Sequence, residues 1–200
     1  MATPIHPQGD IILVTKGPDP KLEPDRLLVK STFLAHASPV FATMFSDRFA
    51  EGQNLSVAAP KEITVDDDPW ALYVLMKLLH LSHKNVEVKP TAEQMYDLVI
   101  LVDKYDCYDS VSLTLTAWLQ LLKFETLDAR SWALLAGVYG VLGDRLGYWD
   151  ATRMLALRLD GPWNHVMDRE IIMLAPSEIG RQCQHISQLR TQLILTSGSS

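Results

Sequence analysis

The 200-residue chain has little cysteine, no run of basic residues and no long apolar stretch. Each shortage removes a class of protein. Two cysteines, Cys107 and Cys183, cannot staple a disulfide framework, and reduced thiols in a cytoplasmic or nuclear protein are the simpler expectation. There are 18 Lys and Arg against 24 Asp and Glu, a formal net charge of −6. No basic stripe is available to displace counterions from a phosphate backbone, so no nucleic-acid partner is expected. The longest apolar runs are short, such as residues 98–102 between Asp97 and Asp103. They fall far below the roughly 20 residues of a membrane helix, and no membrane partner is expected. The first ten residues hold two prolines and lack the basic-then-apolar order of a signal peptide.

What is present is the composition of a folded globule. Apolar residues make up 48% and charged residues 21%, which excludes a mostly disordered chain. This length suits one large domain or two small ones, and lets roughly 70% of the unfolded surface be buried.

The first third mixes strand and helix signals. Residues 11–15 and 27–29 read as a hairpin around the Gly17-Pro18-Asp19-Pro20 turn. Residues 31–36 read as a short helix. Ser38-Pro39 opens another, with Ser as N-cap and Pro at the first helical position. This helix is expected to carry Val40, Phe41, Met44 and Phe45 inward and to end near Phe49. Gly52-Gln53-Asn54 marks a loop and residues 62–65 a third strand.

From there the pattern turns helical. Asp68 caps and Pro69 opens a helix to about Leu81, apolar on nearly every face and therefore largely buried. Residues 85–88 add a short strand. Thr91 and Gln94 form a capping box for a helix with Met95, Leu98, Val99 and Val102 inward. Val111, Leu115, Trp118, Leu119 and Leu122 mark the next. Asp128 caps a helix that buries Trp132, Leu135, Ala136 and Tyr139, Gly143-Asp144 interrupts it, and a helix over about residues 146–159 follows. Gly161-Pro162 stops that one. A short helix near 166–174 and a final one from Pro176 complete the chain, the last with Ile179, Cys183, Ile186, Leu189 and Leu193 on one face. Residues 197–200 form a flexible tail.

Candidate chemistry is sparse. His80 and His83 sit three apart near a helix end, but no carboxylate or cysteine follows at ligand spacing. Imidazoles there also suit the helix dipole and its last carbonyls. Cys183 and His185, two apart on a helix, face different ways. Gly137, Gly140 and Gly143 lack the preceding strand of a dinucleotide fingerprint and fit close helix packing and a turn. Asp66-Asp67-Asp68 lacks the spaced oxygens and glycine of a calcium loop; only Asp68 has a structural task, as N-cap, and its neighbours are expected in water. The five tryptophans suit core filling. There is no Gly-x-Ser-x-Gly elbow and no phosphate-binding loop. The expectation is therefore no enzyme, with no catalytic, cofactor-binding or metal residues and no cofactor.

One stretch is more specific. Residues 33–45 contain Leu34-Ala35-His36-Ala37-Ser38-Pro39-Val40-Phe41, then two residues, then Met44-Phe45. Gly9-Asp10-Ile11 precedes it. Phe49-Ala50-Glu51-Gly52, Ile63-Thr64-Val65, Asp67-Asp68-Pro69 and Asp103-Lys104-Tyr105 follow in order. This ordered set resembles the BTB/POZ family, fungal-type, over roughly residues 8–112. Residues 113–196 loosely resemble the helical BACK extension.

The resemblance implies an α+β fold, a small mixed sheet flanked by helical hairpins, followed by an all-helical extension. It implies a protein–protein interaction module that forms homo- or hetero-oligomers, a homodimer among them, and that serves as a substrate adaptor for a cullin-type ubiquitin ligase. Cullin-binding members use a hydrophobic-x-Glu motif after the Met-Phe pair. Carried over, the scaffold-binding residues are Phe49 and Glu51, with Met44 and Phe45 beside them. Phe49 would fill an apolar pocket of the partner and Glu51 meet a donor at its rim. In the competing reading, Phe49 packs under its own loop and Glu51 is merely solvated.

Three departures bear on this expectation. Where the family has His-Lys or His-Arg, this chain has Lys30-Ser31, so the charged partner that transcriptional members set against the first-strand Asp is expected to be missing for Asp10. Nine residues precede Asp10, which leaves the N-terminal element that swaps in many BTB dimers missing or curtailed. The hairpin loop from Gly17 to Asp25 is also long and proline-rich. The rival functions are an assembly or transcription-regulatory module without cullin binding, and an enzyme whose site the sequence does not display.

Overall fold

Strict alternation of buried and half-exposed residues over Ile11–Thr15 and Arg26–Val29 forces these segments into strands with one face in the core. The computed structural model describes residues 2–15, 26–82, 89–123 and 126–158. The expected 17–25 loop, His83, the 85–88 strand, and everything from Leu159 onward, including Cys183, His185 and the last two expected helices, lie outside the described residues.

The described residues form a mixed α+β structure of one four-stranded sheet and seven α-helices. Sheet order is β1-β3-β2-β4, with β1 Thr3–Pro4, β2 Ile11–Thr15, β3 Arg26–Val29 and β4 Lys61–Val65. β2 and β3 pair antiparallel, with Ile11 opposite Val29 and Leu13 opposite Leu27, so the fully buried residues meet across the hairpin. β1 runs parallel to β3 and β4 parallel to β2. A parallel neighbour needs a crossover connection, and residues 30–60 supply it through α1 Ser31–Ala37 and α2 Pro39–Met44. β1 was not foreseen. It is two residues long, and only its pairing with Leu27 and Leu28 makes it a strand.

α3 Pro69–Leu79 starts as expected. The Asp68 carboxylate accepts from the Ala71 amide at 2.8 Å, and eight of its residues from Ala71 to Leu79 are buried. It stops in a Schellman turn, in which the Leu81 amide donates to the Leu78 carbonyl and the Ser82 amide to Lys77. Leu81 holds the left-handed position at φ 54. Thr91 and Gln94 cap α4 Ala92–Lys104 reciprocally at 3.0 and 3.2 Å. Met95, Leu98, Val99 and Val102 of α4 are buried, as are Val111, Leu115, Leu119 and Leu122 of α5 Tyr108–Leu122. Trp118 is only half-buried.

The chain divides into two compact units, residues 1–90 with 97–123, and residues 91–96 with 124–200. The first includes α5, which packs on α3. In the second unit Asp128 caps α6 Ala129–Val141 through the Ser131 amide at 2.8 Å, and α7 Arg145–Arg158 folds against α6. The glycines there serve packing. Gly137 faces the Tyr96 ring, a Cβ on Gly147 would collide with Tyr139, and Gly143 makes the turn at φ 68. No strand occurs among the described residues of this unit.

Ser38 joins α2 to the end of α4. It is 1% exposed. Its Oγ accepts from the Phe41 amide at 3.0 Å and donates to the Tyr105 carbonyl. Beneath it Phe41 stacks on Tyr105 with ring centroids 4.3 Å apart. Ser38→Ala removes the cap and leaves a buried carbonyl without its donor. We expect a loss of about 2 kcal/mol or more, read as a lowered urea midpoint at unchanged slope.

Candidate partner-binding site

The residues singled out in the sequence fall around α2, and the structure separates them. α2 ends at Met44 rather than near Phe49, because the Phe45 and Ser46 amides turn back to the Phe41 and Thr43 carbonyls. Of the four side chains expected to point inward, only Phe41 and Phe45 are buried. Met44 is half-buried, and Val40 is 38% exposed. Phe45 stacks on Phe41 at 5.6 Å, so it supports the surface from below and does not present itself to a partner.

Met44, Phe49 and Glu51 do come together. With Pro39, Val40 and Thr43 of α2, and Asp106 after α4, they line an open groove of about 600 Å³. Phe49 is 46% exposed, a large apolar surface left in water that gains free energy if covered. It does not pack under its own loop. The Glu51 carboxylate has no hydrogen-bond or ion-pair partner among the described residues. The groove is thus an apolar floor with two carboxylates, Glu51 and Asp106, at its rim. Asp106, Pro39, Val40 and Thr43 were not foreseen. Asp106 enters from more than 50 positions away and carries no local signal beyond its left-handed φ of 46, which Asp tolerates.

The turn that carries Phe49 and Glu51 is tightly fastened. Residues Ala50–Gly52 form one 3-10 turn, in which the Gly52 amide donates to the Phe49 carbonyl. Lys61 Nζ, at the start of β4, donates to the Ala50 carbonyl and to Gln53 O at 3.3 Å. Gln53 Nε2 donates to Asp47 O at 3.3 Å. A Cβ on Gly52 would sit 2.3 Å from the Ser46 carbonyl oxygen and 2.4 Å from the Phe45 backbone, closer than atoms approach. Glycine is therefore the residue this turn accepts.

Two expectations about charge are corrected. Asp67 is not solvated. Its side chain is 2% exposed, paired with Lys104 Nζ and accepting from the Tyr105 hydroxyl. That contact ties the turn before α3 to the end of α4, and burial followed by the Asp67 carboxylate drives the Tyr105 phenol far above its ordinary range. Nor does Asp10 lack a charged partner. Lys30, one position before the one expected, donates from Nζ to its Oδ2 at 2.7 Å. The Ser31 amide and hydroxyl add bonds at 2.8 and 2.9 Å. Burial pushes the Asp10 carboxyl up, and the Lys30 and Ser31 donors outweigh it and hold it below the usual carboxylate value.

The other candidates do not build a reactive site. His80 uses both ring nitrogens on backbone groups, Met76 O at 2.8 Å and the Lys30 amide at 3.0 Å, which leaves neither free for a metal. Cys107 is free and buried, and burial pushes its thiol up to about 12, the condition of an unreactive thiol. Among the described residues no three His, Cys, Asp or Glu side chains are grouped to hold a metal ion, and no helix is long and apolar enough to cross a membrane.

Two outcomes follow. Gly52→Ala forces the turn off the Phe45–Ser46 backbone and costs about 1–3 kcal/mol; thermal unfolding measures the loss. Asp10 contributes stability that is present above its unfolded value and lost as pH falls through its lower folded value. Asp10→Asn should therefore lower stability at pH 7 and flatten the acid limb of a stability–pH curve below about pH 4.

No family model matches the chain, and no curated protein matches it with significant similarity.

Proposed function

We propose that this protein is a BTB/POZ-type interaction module that acts as a substrate adaptor for a cullin-type ubiquitin ligase scaffold. The observation that supports this most directly is the groove beside α2. Met44, the half-exposed Phe49 and the unpaired Glu51 share one surface there, at the positions the family resemblance assigns to scaffold contact. A partner helix with an apolar ridge and a donor at its edge fits that surface. Phe49 supplies the buried anchor, and Glu51 a rim contact that rewards correct register. The ordered resemblance over residues 8–112 is the second support, together with a mixed sheet and helical hairpins of the kind that family implies.

A second reading is an assembly module that does not bind a cullin. Phe33 is 39% and Leu81 73% exposed, beside a groove of about 470 Å³ between α1 and α3. Such a surface favours self-association. The Asp10–Lys30 pair also restores the charged contact that transcription-regulatory members use, so that role is again part of this second reading.

Titration of the purified chain against a cullin N-terminal domain distinguishes the two. Under the adaptor reading, binding is micromolar or tighter, and Phe49→Ala with Glu51→Ala weakens it by at least about thirtyfold while circular dichroism stays unchanged. A folded wild type that does not bind, or a double variant that binds equally well, overturns the adaptor reading. Light scattering on the same samples then tests self-association.

A further inference from the structure

His80 is 7% exposed at the end of α3, and its two ring contacts fix its protonation state. Met76 O can only accept, so Nδ1 carries the hydrogen. The Lys30 amide can only donate, so Nε2 must present a lone pair, at 3.0 Å. Only the neutral ring satisfies both. A proton on Nε2 would face the Lys30 N–H directly and replace a hydrogen bond with a repulsion between two donors.

What this bond holds is specific. Lys30 is the residue before α1, and the next amide, Ser31, is held by Asp10. The two bonds together set where α1 begins. Phe33, one turn on, stacks on the His80 ring with centroids 5.4 Å apart and planes 13° from parallel. It also lines the α1–α3 groove with His36, Leu78 and Leu81. The imidazole therefore joins the end of α3 to the start of α1 and backs one wall of the groove.

We propose that His80 is an acid-sensitive latch: one proton taken up at Nε2 releases the Lys30 amide and frees Phe33 from the groove wall. The groups facing the ring are His6, at 6.0 Å between centroids, whose charge opposes protonation, and, from the strand end and the α1 junction, Asp10, which favours it and is paired with Lys30. His36 of α1 lines the same groove, while the Lys77 ammonium of α3 sits over Tyr73. Burial is the main influence and holds the ring below the ordinary histidine value. The latch is then fully closed above about pH 6.5, and its contribution is lost as pH falls from there toward the lower folded value. The Asp10 carboxyl, held below its usual range by Lys30 and Ser31, keeps its bonds to them above about pH 4.

The test is nuclear magnetic resonance of the full chain between pH 7.5 and 5. It follows the His80 ring nitrogens and the protection factor of the Lys30 amide, corrected for intrinsic exchange. The expected result is an Nδ1–H tautomer at pH 7.5 and a fall of about tenfold in Lys30 protection on acidification, the equilibrium weight of one backbone hydrogen bond. The fall should share its midpoint with the His80 ring, disappear in His80→Gln, whose amide oxygen accepts at the same place without titrating, and persist in His6→Gln. Constant protection, a midpoint that differs from that of the ring, or a fall that vanishes only in His6→Gln overturns the proposal. The midpoint comparison needs only the wild type, so the test holds even if the Gln variant does not fold.

Discussion

The Ser38 hydroxyl accepts from the first turn of α2 and donates to the Tyr105 carbonyl just after α4, and the candidate surface rests on that pair of hydrogen bonds. Without it α2 has neither its cap nor its fixed distance from Tyr105. Phe41 would lose its register on the Tyr105 ring, and Phe45 its support on Phe41. The groove has one wall on α2 and a rim residue, Asp106, next to Tyr105, so its width is set by this buried contact. Lys104 and Tyr105 are themselves held by Asp67, which brings the entrance of α3 into the same arrangement. Three stretches far apart in the chain are thus joined through Tyr105, with Ser38 at its carbonyl and Asp67 at its hydroxyl. A buried polar network specifies a unique geometry when all its members are satisfied.

The same economy appears at the other end of α1. Asp10 and His80 each hold one of two successive backbone amides, Ser31 and Lys30. One is a charged group kept ionised by its donors, the other a neutral ring kept uncharged by burial. Both are held below their ordinary values, the carboxyl by its donors and the imidazole first by burial.

Much of the fold was legible because its signals are local. The Asp68, Asp128 and Thr91–Gln94 caps use side chains within three residues of the amides they satisfy. The period-two alternation of β2 and β3 is visible in a handful of positions. What escaped were partners at long range. Asp67 meets residues 37 and 38 positions away, and nothing in the acidic run separates it from its solvated neighbours. β1 has no pattern of its own. The length of α2 was misjudged because Val40 and Met44 look as apolar as Phe41, while a six-residue helix turns only part of its circumference inward. At the candidate site, Met44, Phe49 and Glu51 were reached through family resemblance rather than periodicity, and Asp106 through neither, since only the tertiary fold brings it to the rim.

The bond between Ser38 and Tyr105 spans 67 positions, and this has a meaning in time as well as in space. A chain leaves the ribosome from its N-terminus, at about 5–20 residues per second. The stretch holding Phe49 and Glu51 therefore emerges several seconds before the carbonyl that Ser38 requires. During that interval Phe49 belongs to a chain that has no groove to present, and a partner selecting the assembled surface has nothing to bind. Long-range closure of this kind makes the groove a product of completed folding, absent from a half-made chain.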